Sequence, residues 1–223
     1  MKRTELLRKL NSENLENNIA IIIRHSAREK IEDEFGARDA PLTDEGRKMA
    51  VDFGKELPVE KYIRLFCSPV LRCIETVELI HEGFKKNGGR SDLLRDREFL
   101  PVSFAKKPKR ILELMGKLGT HRFIREWYNG ELEEGIMESP KKATIDQIDS
   151  IIGKMDDKGL DIHVAHSFNV ILLFGLLYNL AEEEFRWPGY MDGVVIEMID
   201  DKMKLYYDDR EKIFGIDEYV DFL

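Results

Sequence analysis

Five consecutive apolar residues, Ile19-Ala20-Ile21-Ile22-Ile23, constrain this chain more than any other segment. A strand with one face in water alternates apolar and polar residues, whereas a β-branched run without alternation is buried on both faces. Such a strand needs helices on both sides of its sheet, and the residues that follow supply them. Pro41-Leu42-Thr43-Asp44-Glu45 reads as a helix start, with Thr43 as N-cap and two acids in the first turn, and that helix stops near Pro58. Ile63 to Cys67 is a second strand, and Ser68-Pro69 supplies a cap with proline at the first helical position of a helix running to about Phe84. Asp161-Ile162-His163-Val164-Ala165-His166 is a third strand, with Ser167 capping an apolar helix to about Leu180. Strands alternating with helices predict a mostly parallel α/β sheet.

The remaining segments fit around that sheet. Residues 1 to 17 read as an amphipathic helix with Leu6, Leu7, Leu10 and Leu15 on one side. Residues 101 to 158 are charged and helix-favouring, broken by Pro108, Gly116, Gly119, Gly130, Gly135 and Pro140, with aromatics at Phe123, Trp127 and Tyr128. They read as two or three helices inserted beside the sheet as a lid or side wall. Val194 to Ile199, a turn at Asp200-Asp201-Lys202, and Lys204 to Tyr207 form an antiparallel hairpin that closes one edge.

Several function classes are disfavoured. The net charge of −8 comes without any dominant Lys/Arg block, so no nucleic-acid partner is expected. Val170 to Leu177, the longest apolar run, falls far short of the roughly 20 residues of a membrane span. The polar N-terminus lacks the apolar core of a signal peptide, and a cytoplasmic protein is expected. Cys67 and Cys73 match neither a disulfide framework nor a zinc pattern and read as buried free thiols.

Unusual polar residues gather at three strand-to-helix junctions: Arg24-His25-Ser26-Ala27-Arg28, Ser68-Pro69-Val70-Leu71-Arg72, and His166-Ser167. In open α/β sheets these carboxyl ends are where ligands bind. Each piece alone reads as a solvated loop, a helix surface or a structural histidine, and the coincidence of all three is what points to a site. Guanidinium forks bind phosphoryl oxygens bidentately while staying protonated, helix N-termini add free N–H groups, and neutral imidazole is a nucleophile near pH 7. The remaining histidines fit less well: His81 and His121 read as surface residues, and His163 has the opposite strand parity to His166.

At these residues the chain resembles the histidine phosphatase superfamily, the phosphoglycerate mutase-like family. The matching pieces are Ile21-Ile22-Ile23-Arg24-His25, Pro41-Leu42-Thr43-Asp44-Glu45-Gly46, Ser68-Pro69-Val70-Leu71-Arg72-Cys73-Ile74-Glu75-Thr76, and Val164-Ala165-His166, in family order across residues 19 to 170. The resemblance implies a single domain over residues 1–223 with an α/β/α sandwich fold. It also implies a metal-independent phosphomonoester hydrolase acting on a small phosphorylated substrate, with no cofactor. His25 would form a phosphohistidine, Arg24 and Arg72 would hold the phosphoryl oxygens, His166 would stabilise the transferred group, and Arg28 would be a further phosphate-binding arginine. Ser26 stands where the family usually has Gly or Ala, and Ser167 where some members have an Asp proton donor. Asp96 and Glu98 are the alternative donors, between which the pattern does not choose. Phosphoglycerate mutase-type transfer, a non-catalytic phospho-ligand binder and phosphodiester cleavage by the two histidines are the competing readings. The insertion, with Lys106, Lys107, Lys109 and Arg110, is expected to shape substrate choice, although those cations also suit a solvated helix face. Trp187-Pro188 and Tyr190 read as a packed turn before the hairpin, and the oligomeric state is not legible.

Overall fold

The computed structural model describes residues 1–12, 17–30, 40–93, 104–155, 159–182, 185–215 and 218–219. In chain order its elements are α1 (Arg3–Ser12), β1 (Asn18–Arg24), α2 (Asp44–Lys55), β2 (Tyr62–Cys67), α3 (Leu71–Lys86) and β3 (Arg90–Leu93). There follow α4 (Pro108–Leu118), α5 (Thr120–Tyr128), α6 (Pro140–Ile152), β4 (Gly159–Ala165), α7 (Ser167–Leu177), β5 (Gly193–Ile199), β6 (Lys202–Tyr207) and β7 (Arg210–Gly215). No helix among the described residues is long and apolar enough to cross a membrane.

The strands form one sheet in the order β3-β2-β4-β1-β5-β6-β7. The first four are parallel, and β5, β6 and β7 run antiparallel to their neighbours. As the non-alternating run predicts, Ala20 to Ile23 are all fully buried, so both faces of β1 are covered. Helices α2 and α3 pack against each other, as do α6 and α7; with the right-handed crossovers that parallel strands require, the reversal of direction between β3 and β4 puts the two pairs on opposite faces. Helix α1 buries Leu6, Leu7 and Leu10 as its pattern predicts, while Leu15 lies outside the described residues.

The edges differ from the sequence reading. The hairpin of β5 and β6 continues into β7, whose Arg-Glu-Lys-Ile-Phe-Gly sequence carries little strand signal. Strand β3, Arg-Ser-Asp-Leu, is equally silent because it lies at the other edge, where only β2 pairs with it. The insertion forms α4, α5 and α6, three helices, with the Phe104, Phe123 and Trp127 side chains in the core.

Register decides what the sheet presents at its carboxyl edge. Arg24 pairs with Ala165, and Cys67 pairs with Val164, so β1, β4 and β2 end nearly level. Two further backbone bonds extend that ladder into the loops: His25 N–H donates to the Ala165 carbonyl (2.9 Å) and Ser68 N–H to the Val164 carbonyl (3.0 Å). From β1 the chain crosses toward β2, and from β4 it crosses the other way toward β5. The crevice at this reversal is where an open α/β sheet takes its ligand.

Candidate active site

His25, buried at 3% exposure, sits at the centre. Its Nδ1 lies 2.8 Å from the Ser26 carbonyl oxygen, which can only accept, so Nδ1 carries the proton. The lone pair is therefore on Nε2, which accepts from Arg72 Nε–H at 3.1 Å. The loop that carries this ring is anchored by residues the sequence placed far away. Ser26 N–H donates to Thr76 Oγ1 (3.0 Å) on α3, and Ser26 Oγ donates to the Gly46 carbonyl (2.7 Å) on α2. A small side chain with a hydroxyl thus fits the place where the family pattern carries Gly or Ala.

The Pro-Leu-Thr-Asp-Glu-Gly segment works as a bracket for the same loop. Thr43 is the N-cap of α2 as predicted, its Oγ1 accepting from Gly46 N–H, and its own N–H donates to the Ala27 carbonyl at 3.1 Å. Leu42 N–H donates to Glu75 Oε2 at 2.6 Å, tying the segment to α3. Gly46 has no room for a side chain, because a Cβ there would lie 1.9 Å from the Ala27 carbonyl oxygen.

One guanidinium joins the two histidines. Arg72 Nη2 donates to His166 Nδ1 at 3.3 Å, besides the bond from its Nε to His25. His166 then keeps its proton on Nε2, 3.0 Å from Ser68 Oγ, and the two imidazoles stand edge to face with centroids 5.6 Å apart. His166 rather than Ser167 is the N-cap of α7, its backbone N–H donating to Asn169 Oδ1 at 3.3 Å. Val70 rather than Ser68 precedes α3 as its cap residue, without a side-chain cap bond. Ser68 is spent instead on the second histidine, a partner no local pattern reveals.

Arg24 completes the cluster from the β5 side. Its Nη1 donates to the Pro188 carbonyl (2.7 Å), and its guanidinium stands 4.3 Å over the Tyr190 ring, which is itself 5.8 Å from His25. Arg24 N–H donates to the Asp192 carbonyl (2.9 Å) and its carbonyl accepts from Met191 N–H (3.0 Å), so the turn before β5 is stitched to this residue. That turn, read as simple packing in the sequence, is a wall of the site. Arg24 Nε is buried with no hydrogen-bond partner among the described residues. Arg28 bonds its neighbour's carbonyl at Glu29 (2.7 Å) and contributes charge to Arg24, Arg72 and His166 without touching either imidazole.

Electrostatics follow from burial. Desolvation, reinforced by the Arg72, His166 and Arg24 charges and opposed by the bond to the Ser26 carbonyl, pushes His25 down to about 2. His166 falls to about 3, through burial first and then Arg72, Arg24 and Arg28. Both rings are neutral at any working pH, while burial lowers Arg24 and Arg72 from values too high to leave them uncharged. Cys73 Sγ packs 3.9 Å from His166 Nε2, and burial drives its thiol upward, so it is an inert wall. Neutral imidazoles among fixed cations form an anion site.

A family model described as histidine phosphatase superfamily (branch 1) matches residues 20–143. The chain belongs to this superfamily. The matched segment of this histidine phosphatase homologue holds Arg24, His25, Arg28 and Arg72 but ends before His166, which strand register brings in from β4. No curated protein matches the chain by sequence.

Among solved structures, a putative alpha-ribazole-5′-P phosphatase from Escherichia coli str. K-12 substr. MG1655 is 13% identical with TM-score 0.54, over 85% of this chain and 95% of that one. The product of an open reading frame from Mycobacterium tuberculosis is 16% identical with TM-score 0.51, over 86% and 96%. A mycobacterial hydrolase is 14% identical with TM-score 0.51, over 88% of each chain. At such identities the likeness shows the fold, and the site must be argued from this chain's own residues. Asp96 and Glu98 lie outside the described residues. His121 is exposed, half-buried His81 bonds Ser91, and fully buried His163 stacks on Phe66 at 4.7 Å, all apart from the arginine cluster.

Proposed function

We propose that this protein is a metal-independent phosphomonoester hydrolase that works through a phosphohistidine on His25. The observation that carries the reading is the single Arg72 guanidinium donating to both His25 and His166, with the buried Arg24 Nε beside them lacking a partner among the described residues. Oxygens of an incoming phosphoryl group take over these donors, and the His25 Nε2 lone pair is released toward phosphorus. The Ser26 carbonyl holds the proton on Nδ1, so the correct nitrogen is the nucleophile, and the low pKa keeps it unprotonated.

In the first step the Nε2–P bond forms and the ester P–O bond breaks. The leaving oxygen takes a proton from a general acid, a role for which Asp96 and Glu98 are the sequence candidates. In the second step water attacks phosphorus, its proton passes to that same group, the N–P bond breaks and inorganic phosphate departs. Arg24, Arg72 and His166 meet the charge on the equatorial oxygens, so catalysis is mostly positioning and electrostatics.

The deciding experiment follows hydrolysis of an aryl phosphate from pH 5 to 8 with chelator present. Native protein turns over and accumulates an acid-labile, alkali-stable phosphoryl label on quenching, whereas His25→Ala loses both while keeping its thermal transition. Full activity in His25→Ala overturns the mechanism. Phosphate binding without turnover in the native protein favours a binding module instead.

A further inference from the structure

Beside the phosphoryl pocket lies a group of aromatic side chains that the chemistry does not use. Phe168 stands two residues after His166, at the start of α7, and Trp187 immediately precedes Pro188, whose carbonyl holds Arg24. Their rings meet edge to face with centroids 6.0 Å apart. Phe168 also touches Trp127, Phe104 and Phe123 at 6.1 to 6.4 Å. These last three are buried core, but Phe168 and Trp187 are only half-buried, as is Tyr190, whose ring lies 5.8 Å from His25. Large aromatics that stay partly wet beside a full apolar cluster offer a flat face for another ring.

Three cations on the segments that carry these aromatics and on the insertion are already matched to carboxylates. Arg186, adjacent to Trp187, donates to Asp192 Oδ2 at 2.5 Å and to Tyr207 at 3.1 Å. On the insertion, Lys106 pairs with Glu138 at 3.0 Å, and Arg110 bridges Glu113 and Glu133. A second carboxylate or phosphate on the substrate would compete with these carboxylates for its countercharge.

We propose that Phe168, Trp187 and Tyr190 form the leaving-group subsite, and that the substrate is the phosphomonoester of an aromatic or comparably flat, apolar alcohol without a second anionic group. The inference rests on the phosphatase reading, since the wall has a substrate only if the arginine cluster holds its phosphoryl group. The phosphoryl end is fixed by Arg24 and Arg72, and the alcohol end leaves the in-line axis of His25 into the space bounded by the three rings.

The test compares kcat/KM for 1-naphthyl phosphate with that for 3-phosphoglycerate and glycerol 1-phosphate, in native protein and in Trp187→Ala and Phe168→Ala. The native enzyme prefers the naphthyl ester by about tenfold or more, and each variant lowers the naphthyl-to-glycerol ratio by about tenfold, the scale on which apolar contacts discriminate substrates. A native preference for phosphoglycerate overturns the proposal, and so does an equal loss on all substrates, which would mark the rings as structural. Binding of 1-naphthylmethylphosphonate against methylphosphonate, read calorimetrically on His25→Ala, separates the two readings. A retained preference for the naphthyl compound with no turnover in native protein leaves the subsite standing while the hydrolase mechanism falls. Equal affinities overturn the subsite.

Discussion

Thr76 shows how one hydroxyl links a helix to the reactive ring. Its Oγ1 donates to the Arg72 carbonyl (2.6 Å) and accepts from Ser26 N–H, so α3 holds both the arginine and the loop beneath His25. Thr76→Val keeps the shape and leaves the fully buried Ser26 without that acceptor. The expected result is a loss of about 1–3 kcal/mol in stability, the usual cost of an unsatisfied buried group. Turnover of an aryl phosphate should fall with it. A denaturant titration with unchanged midpoint would show that the bond does not hold the loop. Ser68 teaches the complementary lesson: serine before proline is a good helix-start signal, yet here the hydroxyl serves His166.

At the scale of elements, the site is a matter of level strand ends and close helix approach. Helix α2 begins against the His25 loop with Ala27 carbonyl oxygen where a Cβ of residue 46 would stand. Gly46→Ala must push the two apart, at a cost of about 1–3 kcal/mol for overpacking. A displacement of 1 Å in a reacting group costs about 10²-fold in rate. Aryl phosphate kinetics with a thermal melt measure both losses, and a fully active Gly46→Ala would refute the bracket role of this segment. On the opposite wall the turn before β5 takes a left-handed step at Met191 (φ 61°), a conformation that non-glycine residues adopt only when their surroundings enforce it. The backbone bonds on both sides of Arg24 supply that enforcement.

Across the whole molecule, three buried histidines make stability depend on pH. His25 is lowered to about 2 and His163 and His166 to about 3, burial being the first cause in each case. The unfolded chain binds these protons near pH 6.5, whereas the folded chain refuses them, so stability is complete above 6.5 and declines as pH falls toward 3. Each ring should contribute a loss of about 1–2 kcal/mol between pH 7 and pH 5. Denaturant midpoints at those two pH values check the slope, and His163→Leu, outside the arginine cluster, should make it shallower. A flat profile over this window would mean that the rings titrate normally in the folded protein.

What the sequence determined by itself was set by short-range physics. Ile19 to Ile23 can only be a strand covered on both sides, Thr43 can cap α2 because its partner is three residues away, and the Arg-His and Ser-Pro-x-x-Arg spacings place His25 and Arg72 after a strand and on a helix. Such features need no knowledge of which strands are neighbours. Tertiary structure decided the rest. It alone brought Ser68 to His166, Thr76 to Ser26, and the Pro188-to-Met191 turn to Arg24, separations of 98, 50 and 164 residues. It also made strands of Arg90–Leu93 and Arg210–Gly215, whose polar sequences acquire strand geometry from an edge partner. Residues that a hydrogen bond joins across the sheet leave no periodic trace along the chain, because what selects them is strand order and register.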